Sequence, residues 1–165
     1  MLSIECVTPR NKRYMWRIVD YLQRDAAAKG VKKSKSYFDS FWHQLGYIAQ
    51  DHRKVWVALN QHTHHLYGYI VVNTCLTDSA IMYGDTLRLD FLEILPRHRS
   101  KGVGRQMVNW LKERATTKQF GNIHIPHALK RTVGFWEAMG FTEIPGESGL
   151  WWDCSYDPSA YLDEL

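Results

Sequence analysis

Apolar and polar residues follow different periods in successive parts of the chain, and each period predicts an element. Residues 2–7 alternate between apolar and polar side chains, which predicts a strand. Thr8-Pro9 then offers an N-cap and a first-turn proline, and apolar residues recur at every third or fourth position from Met15 to Ala26. This spacing predicts an amphipathic helix that ends at Lys29-Gly30.

The middle of the chain changes from helical to β character. Residues 36–50 carry apolar side chains on one side of a predicted second helix. Residues 54–60 and 65–76 are rich in β-branched and aromatic side chains and are joined by a short polar stretch, so they predict a hairpin. Residues 87–95 predict a long strand, which Pro96 ends because proline cannot donate to a strand ladder.

The last third of the chain predicts alternating helices and strands. A helical stripe runs from Val103 to Ala115, and residues 122–125 predict a short strand. Residues 128–139 predict a further helix, which a glycine caps. Residues 141–144 and 150–155 are expected to close the chain as two strands.

The order of these elements predicts one domain. It is strand, two helices, three strands, helix, strand, helix and two strands, without repeats or a linker. With a length of 165 residues, we expect a single domain over residues 1–165, of the mixed α/β (α+β) class. Hydrophobic residues make up 45% and charged residues 23% of the chain, which excludes a disordered protein. No signal peptide and no membrane-length apolar run is visible, so a cytoplasmic protein without membrane contact is expected.

The positive charge is concentrated at the start of the chain. The formal net charge is +4, and residues 1–40 hold nine basic and four acidic residues. A basic surface attracts anionic partners, although charges on a helix face are often only solvated. The three cysteines are far apart, and the histidines at 62–65 and 124–127 lack a closed ligand set. We therefore expect neither a disulfide framework nor a bound metal.

The stretch "PRHRSKGVGRQM", residues 96–107, carries the clearest chemistry. It joins a predicted strand to a predicted helix and places four cations around Gly102 and Gly104. Unpaired N–H groups and a partial positive charge at a helix N-terminus bind anions, and glycine lets a ligand approach the backbone closely. The spacing fits neither a P-loop nor a dinucleotide fingerprint, in which Met107 would be the third glycine. This stretch therefore predicts a phosphate-binding site that belongs to neither of these two nucleotide-binding classes.

"LEILPRHRSKGVGRQMVNWL", residues 92–111, resembles the acetyl-coenzyme-A-binding motif of the GNAT superfamily of N-acetyltransferases. That motif is Gln or Arg, two residues, Gly, one residue, and Gly or Ala, and it is matched here by Arg99, Gly102 and Gly104. "VGFWEAMGF", residues 133–141, resembles the second signature of the family. The order of the predicted elements is also similar to the family's over nearly the whole chain.

The resemblance implies a fold and a donor. The fold is a mixed, mostly antiparallel central sheet of about seven strands flanked by about four helices and splayed between the fourth and fifth strands. The donor is acetyl-CoA, whose diphosphate lies against the backbone of residues 99–105 and whose pantetheine pairs with Ile94 and Leu95. One of these two N–H groups stabilises the oxyanion. The implied coenzyme-binding residues are Ile94, Leu95, Arg99, Ser100, Lys101, Gly102, Val103, Gly104, Arg105 and Trp136.

An acceptor amine has a pKa of about 10 and must lose a proton before it attacks, so a base is needed. Glu93 lies on the strand next to the expected coenzyme site, and Asp90 lies three residues earlier. His124 occupies the position where some relatives carry a glutamate base. The alternatives are a structural carboxylate for Glu93 and a strand histidine bonded to backbone for His124. We expect Glu93 and His124 to be the catalytic residues.

One position departs from the family pattern. Many relatives carry a Tyr four residues before the Gly-Phe pair, and this Tyr protonates the leaving thiolate. Here Trp136 stands in that place, and an indole N–H is a donor but not a usable acid. Tyr156 is a candidate substitute, and Trp136 is expected only to pack against the pantetheine.

The acceptor is left open by the sequence. The expected reaction is direct attack of a primary amine, of a small molecule or a protein, on the thioester of acetyl-CoA. The basic start of the chain keeps an amine with phosphates, such as aminoacyl-tRNA, as an alternative. A coenzyme-binding module without catalysis and a nucleic-acid-interaction module are alternatives of another class. A monomer or a homodimer is expected.

Overall fold

The computed structural model describes residues 2–8, 10–11, 13–30, 53–73 and 86–154. Two predictions lie outside the described residues, namely the second helix over 36–50 and the role of Tyr156. Within the described residues, every helix is too short or too polar to cross a membrane.

The described residues form six strands and three α-helices. The strands are β1 (Leu2–Cys6), β2 (Arg53–Asn60), β3 (Leu66–Asn73), β4 (Thr86–Ile94), β5 (Asn122–Ile125) and β6 (Leu150–Asp153). The helices are α1 (Arg13–Ala28), α2 (Val103–Thr117) and α3 (Val133–Ala138), with short 3-10 turns at Pro96–His98 and Lys130–Thr132.

The strands hydrogen-bond in chain order, β1-β2-β3-β4-β5-β6, in a mostly antiparallel sheet. Strand β1 pairs antiparallel with β2, and β5 with β6. Strand β4 pairs with β5 in parallel over three residue pairs, which end at Arg88 and His124. Strand β4 itself continues to Ile94, so its second half extends beyond this pairing. The mixed α+β class expected from the sequence is confirmed.

Two of the predicted elements are corrected by the structure. Residues 141–144 make only one bridge, Thr142 to Trp151, where a strand was predicted. Pro145 has no N–H to donate, and Gly146 follows with φ of 86°, so the ladder cannot continue. The predicted helix over 128–139 begins only at Val133, because Leu129 is extended (ψ 136°) and its carbonyl accepts from the N–H of Thr132 at 2.7 Å.

The backbone divides into two compact units, formed by Met1–Val71 with Phe91–Gly104 and by Val72–Asp90 with Arg105–Leu165. The first unit has a core in which α1 buries its apolar face. Tyr14, Ile18 and Val57 are almost fully buried there. The helix begins at Arg13, later than Thr8 predicted, because Asn11 accepts from the N–H of Thr8 and holds an extra turn.

The apolar stripe of α2 is buried along its length, from Val103 in the first unit to Ala115 in the second. The predicted stripe is confirmed, since each of its members is buried: Val103, Met107, Val108, Leu111 and Ala115. Val103 is the last but one residue of the first unit, and the helix continues into the second. The burial fixes the rotation of α2 about its axis and therefore also fixes which residues of its first turn face solvent.

Candidate functional site

The loop between β4 and α2 is built from short local hydrogen bonds. The Leu95 N–H donates to the carbonyl of Tyr67 at 2.9 Å, and the His98 N–H donates to the carbonyl of Leu95 at 2.8 Å. The ring of His98 lies 4.1 Å from the ring of Tyr67, centroid to centroid. Pro96 starts the 3-10 turn with a backbone dihedral that suits it. The chain is thereby turned from the strand toward the start of α2.

The loop, Arg99–Arg105, leaves backbone donors exposed. Ser100 and Gly102 have φ of 58° and 76°, and Ser100 is one of few non-glycine residues with this conformation. Among the described residues, the N–H groups of Ser100, Lys101 and Gly102 have no hydrogen-bond acceptor. The first N–H groups of α2 add to them, since no carbonyl precedes them in the helix. Backbone N–H groups clustered in this way at the start of a helix are suited to an anion.

The side chains of the loop divide between anchoring and charge. Val103 is buried and fixes the start of α2, whereas Lys101 and Arg105 are exposed. No atom would lie within 4 Å of a Cβ added to Gly102, so its surface side is open. Glycine is therefore favoured at position 102 because the turn needs a positive φ, and not because a side chain would meet neighbouring atoms.

Arg99 folds back on the end of β4. Its Nε donates to the carbonyl of Ile94 at 2.9 Å, and its Nη2 lies 2.7 Å from Oε1 of Glu93. Half of its side chain is exposed. The guanidinium thus ties the loop to the strand, and the structure brings three of the predicted residues together, Glu93, Ile94 and Arg99.

Glu93 receives a second contact from α1. The hydroxyl of Tyr21 donates to Oε1 of Glu93 at 3.4 Å, a long hydrogen bond. Burial and then the nearby Glu93 carboxylate raise the pKa of Tyr21 to about 12. A Cβ added to Gly68 of β3 would meet the carbonyl of Glu93 and would lie 2.9 Å from Cδ1 of Ile94. Glycine at position 68 therefore lets β3 and β4 approach closely behind the carboxylate.

Tyr21 is a residue that the sequence did not single out. It stands on α1, 72 residues before its partner. The apolar period of the helix marks it only as a partly buried aromatic residue, and no local motif connects it with Glu93. A pairing prediction from related sequences is the kind of signal that could have found it.

On the backbone of Ile94 and Leu95, two groups are already engaged, the N–H of Leu95 and the carbonyl of Ile94, which accepts from Arg99. The N–H of Leu95 points to β3, where it donates to Tyr67, so it is engaged. Successive peptide groups of a strand point to opposite edges, so the Ile94 groups point away from β3. Of the two predicted oxyanion donors, this leaves the N–H of Ile94.

His124, in the second unit, is a buried strand histidine. It is 8% exposed, its Nε2 lies 2.8 Å from the carbonyl of Ser148, and its ring stacks on that of Trp151 at 3.8 Å. A carbonyl only accepts, so Nε2 carries the proton. Among the described residues, buried Nδ1 has no hydrogen-bond partner. Burial lowers the pKa of His124, and the bond to Ser148 opposes this only in part.

The other predicted candidates have structural contacts in the second unit. Asp90 pairs with Arg88 at 2.6 Å. Trp136 is buried, and its ring meets the edges of Phe135 and Phe141 with centroids 5.0 and 5.4 Å away. The contact of Trp136 with a coenzyme stays a prediction.

Lys112 is a second side chain that the sequence did not single out. Its ammonium donates to the carbonyl of Met139 and lies 4.7 Å from the centre of the Trp152 ring. Burial lowers the pKa of Lys112. These contacts join α2 to the end of α3 and mark Lys112 as a packing residue. Among the described residues, no three His, Cys, Asp or Glu side chains are grouped as metal ligands.

The Acetyltransferase (GNAT) family matches residues 16–141, which is most of the chain. No curated protein matches it. A transcriptional regulator of Bacillus halodurans C-125 is similar in fold, with a TM-score of 0.68, 20% identity and coverage of 91% of this chain and 97% of that chain.

Two further solved structures are similar. A predicted acetyltransferase of Clostridium acetobutylicum with acetyl-CoA has a TM-score of 0.67 and 12% identity, and the match covers 89% of this chain and 94% of that chain. An acetyltransferase of Thermus thermophilus has a TM-score of 0.64 and 18% identity, with coverage of 92% of this chain and 94% of that chain. Identities this low show a similarity of fold and nothing further. The family match and the loop between β4 and α2 agree, and the chain belongs to the acetyltransferase (GNAT) family.

Proposed function

We propose that the protein is an N-acetyltransferase that transfers the acetyl group of acetyl-CoA to a primary amine. The observation that carries this proposal is the loop Arg99–Arg105, with unpaired N–H groups at Ser100, Lys101 and Gly102 and exposed cations beside them. Such a surface suits the diphosphate of coenzyme A. The N–H of Ile94 would donate at the thioester end of the pantetheine arm, and the carbonyl of Ile94 could pair with the arm in the manner of an added strand once Arg99 releases it.

The reaction needs no covalent enzyme intermediate. The amine nitrogen attacks the thioester carbonyl, a C–N bond forms, and the C–S bond breaks as the thiolate leaves. A donor at the carbonyl oxygen lowers the barrier, because negative charge develops there. The N–H of Ile94 is our candidate for that donor, since the N–H of Leu95 is already engaged.

Glu93 is our first candidate for the base. Its carboxylate is about one third exposed, and both described contacts fall on Oε1, which leaves Oε2 without a partner among the described residues. A carboxylate oxygen in this situation can accept the proton of an ammonium group. His124 is the second candidate. Its Nε2 donates to Ser148, so the proton would have to go to Nδ1, which is buried and would first have to become accessible to the amine.

The leaving thiolate does not require the family's tyrosine. A thiol has a pKa of about 8.5, so a thiolate is a fair leaving group near neutral pH. The nitrogen loses two protons on its way from ammonium to amide. The proton that Glu93 has accepted before the attack can return to the sulfur through water, and the second, lost from the nitrogen after the attack, is released to water. Trp136 supplies no proton, because an indole N–H is not a usable acid and because its ring is buried.

A thermal shift tests donor binding. Acetyl-CoA at 100 times its Kd is expected to stabilise the protein by about 2.7 kcal/mol, because a ligand that binds only the native state raises its stability. For a chain of this size, each kcal/mol raises Tm by about 2–4 °C. No shift at millimolar acetyl-CoA would contradict the proposal.

Thiol release measures turnover. Wild-type protein with acetyl-CoA is tested against a panel of small amines, peptide amines and charged tRNA, and amine-dependent thiol release is expected. A shift in Tm without turnover on any amine would favour the coenzyme-binding module instead. The observation that favours a coenzyme-binding module as a second candidate function is the tryptophan at position 136, where many relatives carry a tyrosine.

A further inference from the structure

Two donors from different elements converge on one oxygen of Glu93. Arg99, from the loop, lies 2.7 Å from Oε1, and Tyr21, from α1, donates to the same atom at 3.4 Å. Among the described residues, Oε2 receives no contact. A carboxylate held at one oxygen by two donors has little freedom to rotate, so its second oxygen keeps a fixed direction.

The two donors are not equivalent. Arg99 belongs to a loop whose proposed ligand carries a diphosphate, so its guanidinium is attracted by two different anions. Tyr21 lies on α1, and the apolar residues of this helix are buried in the core of the first unit. Its phenol is a proton donor at any ordinary assay pH, because burial and the Glu93 carboxylate raise the pKa of Tyr21. Tyr21 can therefore hold the Glu93 carboxylate even when the Arg99 guanidinium turns to the diphosphate of acetyl-CoA.

We propose that Tyr21 is a positioning residue that holds Oε1 of Glu93 so that Oε2 is directed to accept the proton of the acceptor amine. This inference rests on the acetyltransferase function proposed above. The step itself moves one proton from the ammonium group to Oε2 and leaves the neutral amine free to attack. In this proposal Tyr21 acts only through Glu93, to which it donates, and not by contact with acetyl-CoA or the amine.

The test is a double-mutant cycle with Tyr21→Phe and Glu93→Gln. Tyr21→Phe is expected to lower kcat about three- to tenfold, the range for one long hydrogen bond, with the KM for acetyl-CoA nearly unchanged. Glu93→Gln is expected to lower kcat by about 100-fold or more. Because Tyr21 acts through Glu93, Tyr21→Phe is expected to have no further effect in the Glu93→Gln protein.

Tyr14→Phe is the matched control. Tyr14 lies two turns earlier on α1 and is buried in the core, and its hydroxyl accepts from Arg13 at 3.3 Å. This variant loses a comparable hydrogen bond without touching Glu93, and its kcat is expected to equal that of the wild type. Acetyl-CoA thermal shifts on all variants show that they fold and bind the donor.

Two results would overturn the inference while the proposed function stands. One is an unchanged kcat in Tyr21→Phe. The other is the same fold-loss from Tyr21→Phe in the wild-type and Glu93→Gln backgrounds, which indicates a general effect on the fold. Absence of amine-dependent turnover in the wild type would instead overturn the proposed function, and with it this inference.

Discussion

His124 shows how burial fixes the protonation state of a single side chain. Its ring is stacked on Trp151, and one nitrogen donates to a backbone carbonyl. A charged ring in this place would lose hydration without gaining a second acceptor for Nδ1–H among the described residues. The residue therefore stays neutral at neutral pH, and its Nδ1 keeps a lone pair.

The stability of the protein is expected to fall as the pH is lowered below about 6.5, the pKa of histidine in the unfolded chain. Burial lowers the pKa of His124 in the folded state, so below that pH the unfolded chain binds a proton that the folded protein does not. The loss continues down to the folded pKa and then levels off. Tm measured between pH 8 and pH 5 follows this change.

His124→Gln is the variant that isolates the effect. Glutamine can still donate to Ser148 but does not titrate, so the decline in Tm is expected to be shallower than in the wild type. Burial also lowers the pKa of His98, so the Tm of His98→Gln is measured over the same pH range to separate its contribution from that of His124. Equal slopes for wild type and His124→Gln would show that His124 is not buried in its neutral form.

At the scale of an element, the loop before α2 is held in shape by its own contacts. Pro96 sets the turn, Arg99 ties the loop to β4, and Val103 anchors the helix in the core. Ser100 carries a backbone strain of about 1–2 kcal/mol because of its positive φ. The N–H donors would therefore be in place before the proposed anion binds, which would reduce the entropy lost on binding.

Gly102→Ala is expected to lower the free energy of unfolding by about 1–2 kcal/mol, because alanine is strained at φ of 76°. No clash contributes, since an added Cβ meets no atom within 4 Å. The turn is expected to relax and to disperse the N–H groups, so the affinity for acetyl-CoA falls about tenfold or more. Denaturant unfolding and calorimetry measure the two effects.

Gly134→Ala is the control for this element. Gly134 lies in α3 with ordinary dihedrals, and an added Cβ also meets no atom. Alanine is favoured over glycine in a helix, so this variant is expected to be as stable as the wild type or slightly more stable. Unaltered acetyl-CoA binding by Gly102→Ala would contradict the proposed role of the loop.

For the whole molecule, periodic patterns predicted most of the elements, and the misses have physical causes. The strand over 122–125 and the stripe of α2 were predicted correctly, because each buries one face or both. The predictions over 128–132 and 141–144 failed, because local turns overrode the apolar period there.

The candidate site was predictable only where it is local in sequence. Arg99 and Glu93 are six residues apart, and the glycine pattern marks their loop. Tyr21 and the carbonyl of Ser148 come from distant segments, and no sequence period predicts which atoms such segments place together. The local contacts between the loop and the end of β4 were therefore accessible from sequence, and the contacts of Glu93 and His124 with distant segments were not.

The distribution of charge over the molecule bears on the acceptor. Among the described basic residues near the start of the chain, Arg24 pairs with Asp20 and Lys29 pairs with Asp25, each four residues away. Both aspartates are already counted in the net charge of residues 1–40, so the pairs leave the positive excess unchanged. Such exposed pairs contribute little to stability, and the field of exposed charges is largely screened beyond about 8 Å at physiological salt.

We therefore expect the KM for the acceptor to depend only weakly on salt. An acceptor bound through six or more phosphates would lose about 1,000-fold in affinity between roughly 50 and 200 mM salt. A small or protein amine forms no such set of contacts, so its KM is expected to change by less than about threefold, because surface charges are largely screened in this range. Thiol release at both salt concentrations, with the best amine of the panel and with charged tRNA, measures the difference. A steep rise of KM together with preference for charged tRNA would establish the RNA-linked acceptor instead.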